Sequence, residues 1–435
     1  MKGRKGWVYA GLLATSVLVL QGCGGGNNTP GNSGTSGGDS DTNTNAGTET
    51  VTLKVWGDLG NQAVLESAYN EINAAFEEQH SDIKLQYDFA QNDQSLSVAL
   101  QANELPDLFI VQGDKTPKMA EMVRNGFLMP LDDYNLDLSR FTESEIAYGT
   151  VEGKLYSSLP AFLDTQLVYY NKDIFADNGI EMPGTWDEFV AALDTLKAAG
   201  ITPISLAGKQ EWDRAWPVYA LAAAHASPQL QAIAEGAGDL TAPEIGQAFQ
   251  YYRDFADNGY FGKDFLAQDT AAAQFAFTNG KAAMIIDGTW NNSTYEDSGL
   301  NLGRFSVPNA EGKRIVAPSY SNFMTYAVSA DAEHPDQAVK YIEFLNGQEA
   351  QQILENHAGL IPTISDIEPK NEAVSELANF DEAGGNIYSL LSTLATADTN
   401  TPDIMMKDLN PKLLTSKITG EEAAQTLHEA ANYEK

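Results

Sequence analysis

Residues 153–175 read Gly-Lys-Leu-Tyr-Ser-Ser-Leu-Pro-Ala-Phe-Leu-Asp-Thr-Gln-Leu-Val-Tyr-Tyr-Asn-Lys-Asp-Ile-Phe. A polar gap that begins at Pro160 is followed by a second apolar run, which starts with Leu167, Val168 and Tyr169. An extended segment with this pattern leaves one hydrophobic core and enters another. We therefore predict that it is the first crossing between two lobes, and that a small ligand binds where the chain crosses.

Length and charge narrow the possible classes of protein. The chain has 435 residues, which is too long for one ordinary core and suits two lobes, and its hydrophobic content of 43% is enough to fill both. Its formal net charge of −34 argues against nucleic acid or an anionic membrane surface as a partner. The same charge disfavours anionic ligands, whereas a cationic ligand stays possible.

The N-terminus has the pattern of a secretory signal. Three basic residues precede an apolar run over residues 7–20, which is too short to span a bilayer, so we predict a signal peptide over residues 1–22. Cys23 is the only cysteine, which excludes a disulfide within the chain. Residues 24–50 contain no aromatic residue and no Leu, Ile or Val, and we expect them to form a disordered tether.

The folded body is predicted to begin at Val51 with a parallel sheet. Residues 51–56 alternate like a strand, apolar residues recur at helical spacing over residues 65–76, and a second alternating run covers residues 83–87. Residues 105–114 supply another buried strand with a polar end. In such sheets ligands lie beyond the carboxyl ends of the strands.

Two capping boxes predict where helices of the remaining chain begin. Thr185 with Glu188, and Thr419 with Glu422, have the spacing at which a hydroxyl and a carboxylate satisfy each other's free backbone N–H groups. A further helix is predicted over residues 335–345, with an apolar face. Helices and strands therefore alternate over most of the chain, which indicates an α/β fold.

Short motifs follow one another in a characteristic order along the chain. They lie at residues 20–23 (Leu-Gln-Gly-Cys), 55–57, 106–109, 126–131, 153–156, 169–173, 179–180, 185–188, 282–290 and 338–345. Residues 20–23 resemble the lipobox of bacterial lipoproteins. Together, the set resembles the extracellular solute-binding lipoproteins of ABC importers, in the carbohydrate-binding group that includes the maltodextrin-binding protein.

The resemblance implies an α/β, two-lobe periplasmic-binding-protein (Venus flytrap) fold, type II-like, with three inter-lobe crossing segments. The N-terminal lobe would comprise residues 51–163 and 320–362, and the C-terminal lobe residues 164–319 and 363–435. Acylation of Cys23, with palmitate, would anchor a monomer on the extracytoplasmic face of the cell membrane. Hinge closure would enclose the ligand, and ABC permease subunits in the membrane would recognise the closed form.

A sugar-binding site needs carboxylates and amides around the edge of a sugar ring and aromatic side chains on its faces. By resemblance, Asp164 is the sugar-binding acid, with a surface or hinge aspartate as the alternative. Trp290 follows a predicted strand and turn and matches a stacking tryptophan, with a core residue as the alternative. Glu211, Trp212 and Asp213 form a loop at a place where the family binds sugar.

Further ligand-binding candidates lie on the first lobe and at the second crossing, again by resemblance. They are Asp58, Asn61, Gln112, Asp114 and Tyr320. For each of them a plain loop or core role is the alternative. Trp216, near the second-lobe loop, fits a core position equally well.

Metal and cofactor sites are not predicted. Adjacent tyrosines such as Tyr169 and Tyr170 bind iron in ferric-binding proteins of related fold, but neighbours in a strand point to opposite faces, so we predict one core and one surface residue. The histidines lack the spacing of a zinc pair. Residues 133–144 begin like a calcium loop, yet Leu138 replaces the required glycine.

Other functional classes stay open at this point. A secreted glycoside hydrolase would also place acids and aromatic residues in a cleft. An adhesin, or a binder of a non-sugar solute such as a polyamine or ferric ion, is a further alternative. We expect a binding protein without catalytic activity, in which a sugar that contacts both lobes shifts a two-state hinge towards the closed form.

Overall fold

The structure is a computed structural model that describes residues 50–113, 117–378, 380–396 and 399–433. The predicted signal peptide, Cys23, the tether up to residue 49 and the candidate Asp114 lie outside the described residues. Within these ranges no helix is both long enough and apolar enough to cross a membrane.

Strands and helices alternate over most of the described chain, as the sequence predicts. The strands are β1 (Val51–Asp58), β2 (Ile83–Gln91), β3 (Leu108–Ile110), β4 (Thr150–Val151), β5 (Lys154–Leu155), β6 (Phe162–Asp164), β7 (Gln166–Asn171), β8 (Thr202–Ser205), β9 (Ala282–Gly288), β10 (Leu302–Phe305), β11 (Ile315–Val316), β12 (Ser319–Tyr320), β13 (Tyr326–Val328), β14 (Ile361–Pro362) and β15 (Glu382–Ala383).

The helices pack on both sides of these strands. They are α1 (Gln62–Gln79), α2 (Asp93–Ala102), α3 (Pro117–Arg124), α4 (Glu143–Tyr148), α5 (Lys172–Asp177), α6 (Trp186–Ala198), α7 (Glu211–Ala234), α8 (Pro243–Asp257), α9 (Thr270–Thr278), α10 (Asn292–Glu296), α11 (Pro335–Leu345), α12 (Gln348–Ala358), α13 (Glu372–Leu377), α14 (Ile387–Thr393), α15 (Thr401–Asp403), α16 (Asn410–Leu414) and α17 (Gly420–Ala430). A π-helical stretch, Ile404–Leu409, joins α15 to α16.

The first sheet has the strand order β13-β3-β1-β2. Strand β1 pairs in parallel with both β2 and β3, which confirms the predicted strand, helix, strand unit, and β13 pairs antiparallel with β3. The helix α1 buries Leu65, Ile72 and Phe76 on the face that packs on this sheet. Helices α11 and α12, from late in the chain, complete the same hydrophobic core. This core therefore joins the first segments of the folded body to segments as far along the chain as Ile367.

The second sheet has the strand order β10-β7-β9-β8, with β7 inside it. Both capping boxes are present, one at the start of α6 beside this sheet and one at the start of α17. Tyr169 and Tyr170 do point to opposite faces of β7, but both are buried, so the prediction of one core and one surface tyrosine is wrong. The reason is that helices and loops cover both faces of an internal strand. Gly303 on β10 lies opposite Tyr170 and leaves room for its ring.

A third sheet consists of three short strands that come from separate parts of the chain. Its central strand β6 pairs antiparallel with β12 on one side and with β14 on the other. The predicted lobe boundaries, at residues 163/164, 319/320 and 362/363, fall in or directly after these three strands. The division of the chain into lobes at those residues stays a prediction.

The buried carboxylate of Glu355 forms hydrogen bonds with the chain on both sides of β14. Glu355 lies near the end of α12, and its two carboxylate oxygens accept hydrogen bonds from Leu360 N at 2.6 Å and Lys370 N at 2.7 Å. Helix α12 ends at Gly359, whose φ of +62° favours glycine. Burial raises the pKa of Glu355 from 4.5 to about 7, although both backbone hydrogen bonds lower it.

We expect Glu355 to make the free energy of unfolding depend on pH. Because its pKa is higher in the folded than in the unfolded chain, its stabilisation is complete below about pH 4.5 and is lost as the pH rises through about 7. In Glu355→Gln this part of the pH dependence should disappear, a change on the order of 1–3 kcal/mol between pH 5 and 8.

Urea unfolding of both proteins at several pH values measures this difference. Glu343→Gln, which alters an exposed glutamate on α11, is the matched control and should keep the wild-type profile. Identical profiles for the wild type and Glu355→Gln would contradict the assignment.

Candidate functional site

Aromatic side chains cluster beside the turn that follows β9. The ring of Trp290 meets that of Trp216 edge to face, with centroids 4.9 Å apart and planes at 70°. Trp212 stacks on Trp216 at 5.5 Å and contacts Tyr388 at 5.3 Å. Tyr219 packs behind Trp216 and is buried, whereas the three tryptophans are partly exposed. We call these five side chains the aromatic cluster.

The end of β9 and the turn after it determine where the Trp290 ring lies. The strand ends at Gly288, and Thr289–Asn291 forms one turn of 3-10 helix. A Cβ atom on Gly288 would lie 2.1 Å from the ring of Trp290, so the ring rests where only glycine leaves space. Trp290 also packs against the hydrophobic core of the first sheet, while its partner Trp216 packs against the core of the second. The side chain therefore lies where the two cores meet.

Thr165, the residue after Asp164, forms hydrogen bonds with the turn that carries Trp290. Thr165 N donates to Thr289 Oγ1 at 3.1 Å, and Thr289 N donates to Thr165 O at 2.8 Å. Asp164 itself ends β6, is only 5% exposed and pairs with Ser319 of β12. It is therefore not a surface aspartate, and the structure brings it near the Trp290 turn.

The prediction of a loop at Glu211, Trp212 and Asp213 is wrong, because these three residues form the first turn of α7. Glu211 is exposed, and Trp212 belongs to the aromatic cluster. Asp213 is half-buried and accepts a hydrogen bond from Thr270 Oγ1 at 2.8 Å. Burial raises the pKa of Asp213, although that hydrogen bond lowers it. A small cavity reaches the side chain of Asp213 and is also lined by Trp216 and Asp287.

Asp287, at the end of β9, is a buried acid beside the aromatic cluster. Its carboxylate accepts hydrogen bonds from Gly288 N at 2.7 Å, from Asn291 Nδ2 at 3.0 Å and from Tyr295 Oη. Burial, and after it the charge of Asp213, raises the pKa of Asp287 to about 6, against the effect of the three donors. Two carboxyl groups with raised pKa values thus lie next to the tryptophans.

The first-lobe candidates lie at the carboxyl ends of parallel strands. Asp58 ends β1 and accepts hydrogen bonds from Gly60 N and from Asn61 Nδ2, both at 2.8 Å. Burial raises the pKa of Asp58. Gln112 follows β3 and is half-buried. Asp58 and Asn61 are therefore brought together, and Gln112 lies at the end of a neighbouring strand of the same sheet.

Tyr320 lies on the second crossing strand, β12. Its hydroxyl is 2.7 Å from Ser144 Oγ, and its ring meets that of Tyr148 edge to face at 5.7 Å. The residue pairs with Leu163, one position before Asp164. Tyr320 therefore packs beside β6 and against α4.

Sequence reasoning missed Tyr388 and Asp287. Tyr388 packs against Trp212 and Tyr219, and burial raises the pKa of its hydroxyl. Tyr388 lies on α14, and the sequence around it contains none of the motifs described above. Asp287 stood within the recognised turn, but its burial depends on the fold and has no signal in the local sequence.

The arrangement suits a ligand with flat apolar faces and polar edges. Aromatic rings cover the C–H faces of a sugar, while carboxylates and amides accept and donate hydrogen bonds at its hydroxyl groups. Among the residues that the structure describes, no group of three His, Cys, Asp or Glu side chains could hold a metal ion.

Alanine at position 288 should displace the Trp290 ring, because its Cβ atom would overlap the ring. We expect Gly288→Ala to change the tryptophan fluorescence and to lower the free energy of unfolding by about 1–3 kcal/mol, the usual cost of overpacking. The matched control is Gly184→Ala, where the nearest atom, on Glu188, is 3.5 Å away. Equal effects of the two substitutions would show that the ring does not lie on Gly288.

Comparison with known proteins adds a family and a set of relatives. The family model described as bacterial extracellular solute-binding protein matches residues 60–352. The galactooligosaccharide-binding protein of Bacillus subtilis (strain 168) is 24% identical over 378 residues, which cover 83% of this chain and 86% of that protein. The maltotriose-binding protein of Pyrococcus abyssi (strain GE5 / Orsay) is 27% identical over 311 residues, or 68% of this chain and 63% of that protein.

Solved structures of similar fold cover nearly the whole of their own chains. A chitin oligosaccharide binding protein superposes with a TM-score of 0.73 and 26% identity, covering 87% of this chain and 98% of that one. The solute-binding protein RafE in complex with raffinose superposes with a TM-score of 0.70 and 21% identity, covering 88% and 98%. These neighbours confirm the predicted two-lobe α/β fold.

Proposed function

Because this chain belongs to the bacterial extracellular solute-binding protein family, we propose that it binds a neutral sugar or oligosaccharide between its lobes and delivers it to an ABC permease. The observation that carries this proposal is the aromatic cluster next to buried acids, at the place where the two cores meet. In this role the chain is a binding protein without catalytic activity.

The chemistry of the site supports a sugar as the ligand. The partly exposed faces of Trp212, Trp216 and Trp290 offer apolar surface for sugar rings. Asp164 and Asp213 offer carboxylate oxygens for hydroxyl groups at the ring edge. Relatives whose names state galactooligosaccharide, maltotriose or chitin oligosaccharide as ligands support the same class of ligand for this chain.

The three-stranded sheet supports hinge closure. Strands β6, β12 and β14 are short and paired side by side, so small changes in their backbone angles would rotate the two large sheets relative to each other. A sugar that touches both lobes only in the closed form shifts the population towards that form. In the proposed mechanism, permease subunits then recognise the closed form.

The charge of the site favours neutral over acidic sugars. Asp213 and Asp287 line one small cavity beside the tryptophans, and a ligand carboxylate placed there would be repelled by whichever of the two is ionised. The formal net charge of −34 acts in the same direction.

We expect neutral oligosaccharides to bind at least about tenfold more tightly than the matching uronic acids, or about 1.4 kcal/mol. Thermal-shift screening over mono- and oligosaccharides identifies the tightest sugar, with a polyamine and ferric ion as controls. Calorimetry then gives the affinities. Trp290→Ala and Asp164→Ala should each weaken binding about tenfold or more, while both variants stay folded.

Phe275→Ala, which alters an exposed aromatic residue on α9, is the control and should leave the affinity unchanged. Unchanged affinity in both site variants would refute the proposed site. Shorter sugar products after incubation would refute a pure binding role and point to a glycoside hydrolase. Binding of the polyamine or ferric ion in place of any sugar would refute the ligand class.

The proposal extends to anchoring of the chain through Cys23. Leu20-Gln21-Gly22-Cys23 follows the apolar run of the leader, and acylation of the thiol would hold the protein on the extracytoplasmic face of the membrane. The full-length chain expressed in bacteria should begin at Cys23 and carry acyl groups in mass spectra. Cys23→Ser should move from the detergent phase to the aqueous phase, and an unmodified thiol in the wild type would contradict anchoring.

A further inference from the structure

The carboxylate of Asp287 forms hydrogen bonds on both sides of Trp290, within the turn that follows β9. Asp287 is 2% exposed, and its three donors lie on either side of Trp290 in sequence. Gly288 N comes before the tryptophan, whereas Asn291 Nδ2 and Tyr295 Oη come after it. The ring itself rests on Gly288. The hydrogen bonds of Asp287 thus hold the segment that carries the ring.

We propose that Asp287 is a positioning residue whose ionised carboxylate fixes the Trp290 turn for sugar binding, and that protonation of Asp287 releases the turn and weakens binding. The proposal rests on the proposed function, because it concerns the same site. It adds a residue that need not touch the sugar, and a dependence of the site on pH.

The hydrogen-bond pattern explains why protonation matters. All three groups that face the carboxylate donate a hydrogen bond, and an ionised carboxylate accepts all of them. A proton on the oxygen near Gly288 N opposes that N–H group. A proton on the other oxygen opposes the Asn291 amide donor, whereas the Tyr295 hydroxyl can rotate and accept that proton. Either position leaves a donor of the turn poorly paired in a buried place, which is costly.

The groups around Asp287 place this change in an accessible pH range. The neighbouring titratable side chains are Asp213 on α7, Tyr295 on α10 and Tyr169 on β7. Among these groups Asp213 has a carboxyl group, and its negative charge adds to the effect of burial. The pKa of Asp287 is raised to about 6. The carboxyl group is therefore mainly ionised at pH 7.5 and mainly protonated at pH 5.

The first experiment follows the turn without any sugar. Tryptophan fluorescence of the full chain is measured from pH 4.5 to 8, and the contribution of Trp290 is the difference from Trp290→Phe. We expect a transition near pH 6 that is absent in Asp287→Asn. A flat Trp290 signal in the wild type, or an unchanged transition in Asp287→Asn, would overturn the proposal.

Two further variants separate this role from a general effect on folding. Asp213→Asn removes a negative charge and should move the transition to lower pH. Tyr295→Phe removes a hydrogen bond that favours the ionised form and should move the transition to higher pH. Opposite shifts are specific to a carboxyl group at position 287. Shifts that are absent or equal in sign would overturn the proposal even if Asp287→Asn failed to fold.

The second experiment measures binding of two probes, chitotriose and raffinose, by calorimetry at pH 5 and 7.5. For a probe that binds, the wild-type affinity should be at least about threefold higher at pH 7.5, and Asp287→Asn should show no such ratio. If neither probe binds, the proposed ligand class fails for these sugars while the fluorescence experiment still decides the role of Asp287. A probe that binds the wild type equally well at both pH values would overturn the link to binding.

Discussion

The reciprocal hydrogen bonds between Thr165 and Thr289 are the constraint on which the candidate site depends. The two residues are 124 positions apart in sequence, and the bonds join the residue that follows β6 to the turn that carries Trp290. Because Asp164 directly precedes Thr165, the predicted acid and the predicted stacking residue are held near each other by the backbone. The site thus rests on the framework of the fold more than on flexible loops.

Glu355 and Asp287 are buried carboxylates that hold irregular segments of the chain. Glu355 accepts backbone N–H groups of the segment around β14, and Asp287 accepts donors on both sides of Trp290. In both cases burial raises the pKa, so the ionised form is costly in the folded chain. A charge can satisfy several donors at once, which suits it to fixing short turns that lack regular hydrogen-bond ladders.

Sequence patterns predicted the framework better than the site. The strand, helix, strand unit at the start and the capping boxes at Thr185 and Thr419 depend on local spacing, and the structure contains them. The prediction for Tyr169 and Tyr170 failed because local alternation shows that two side chains diverge but not what covers each face. Tyr388 could not be found because its place beside Trp212 arises only from the packing of distant segments.

The order of the chain also bears on how the protein folds. The sheet that begins at β1 is completed by β13, and its core needs α11 and α12, so more than 200 residues separate its first and last parts. The entropy of closing such a long loop slows folding, and apolar surface of this core stays exposed until α11 and α12 are present. A nascent N-terminal fragment therefore lacks the contacts that would lock it early, which keeps it available to chaperones for longer.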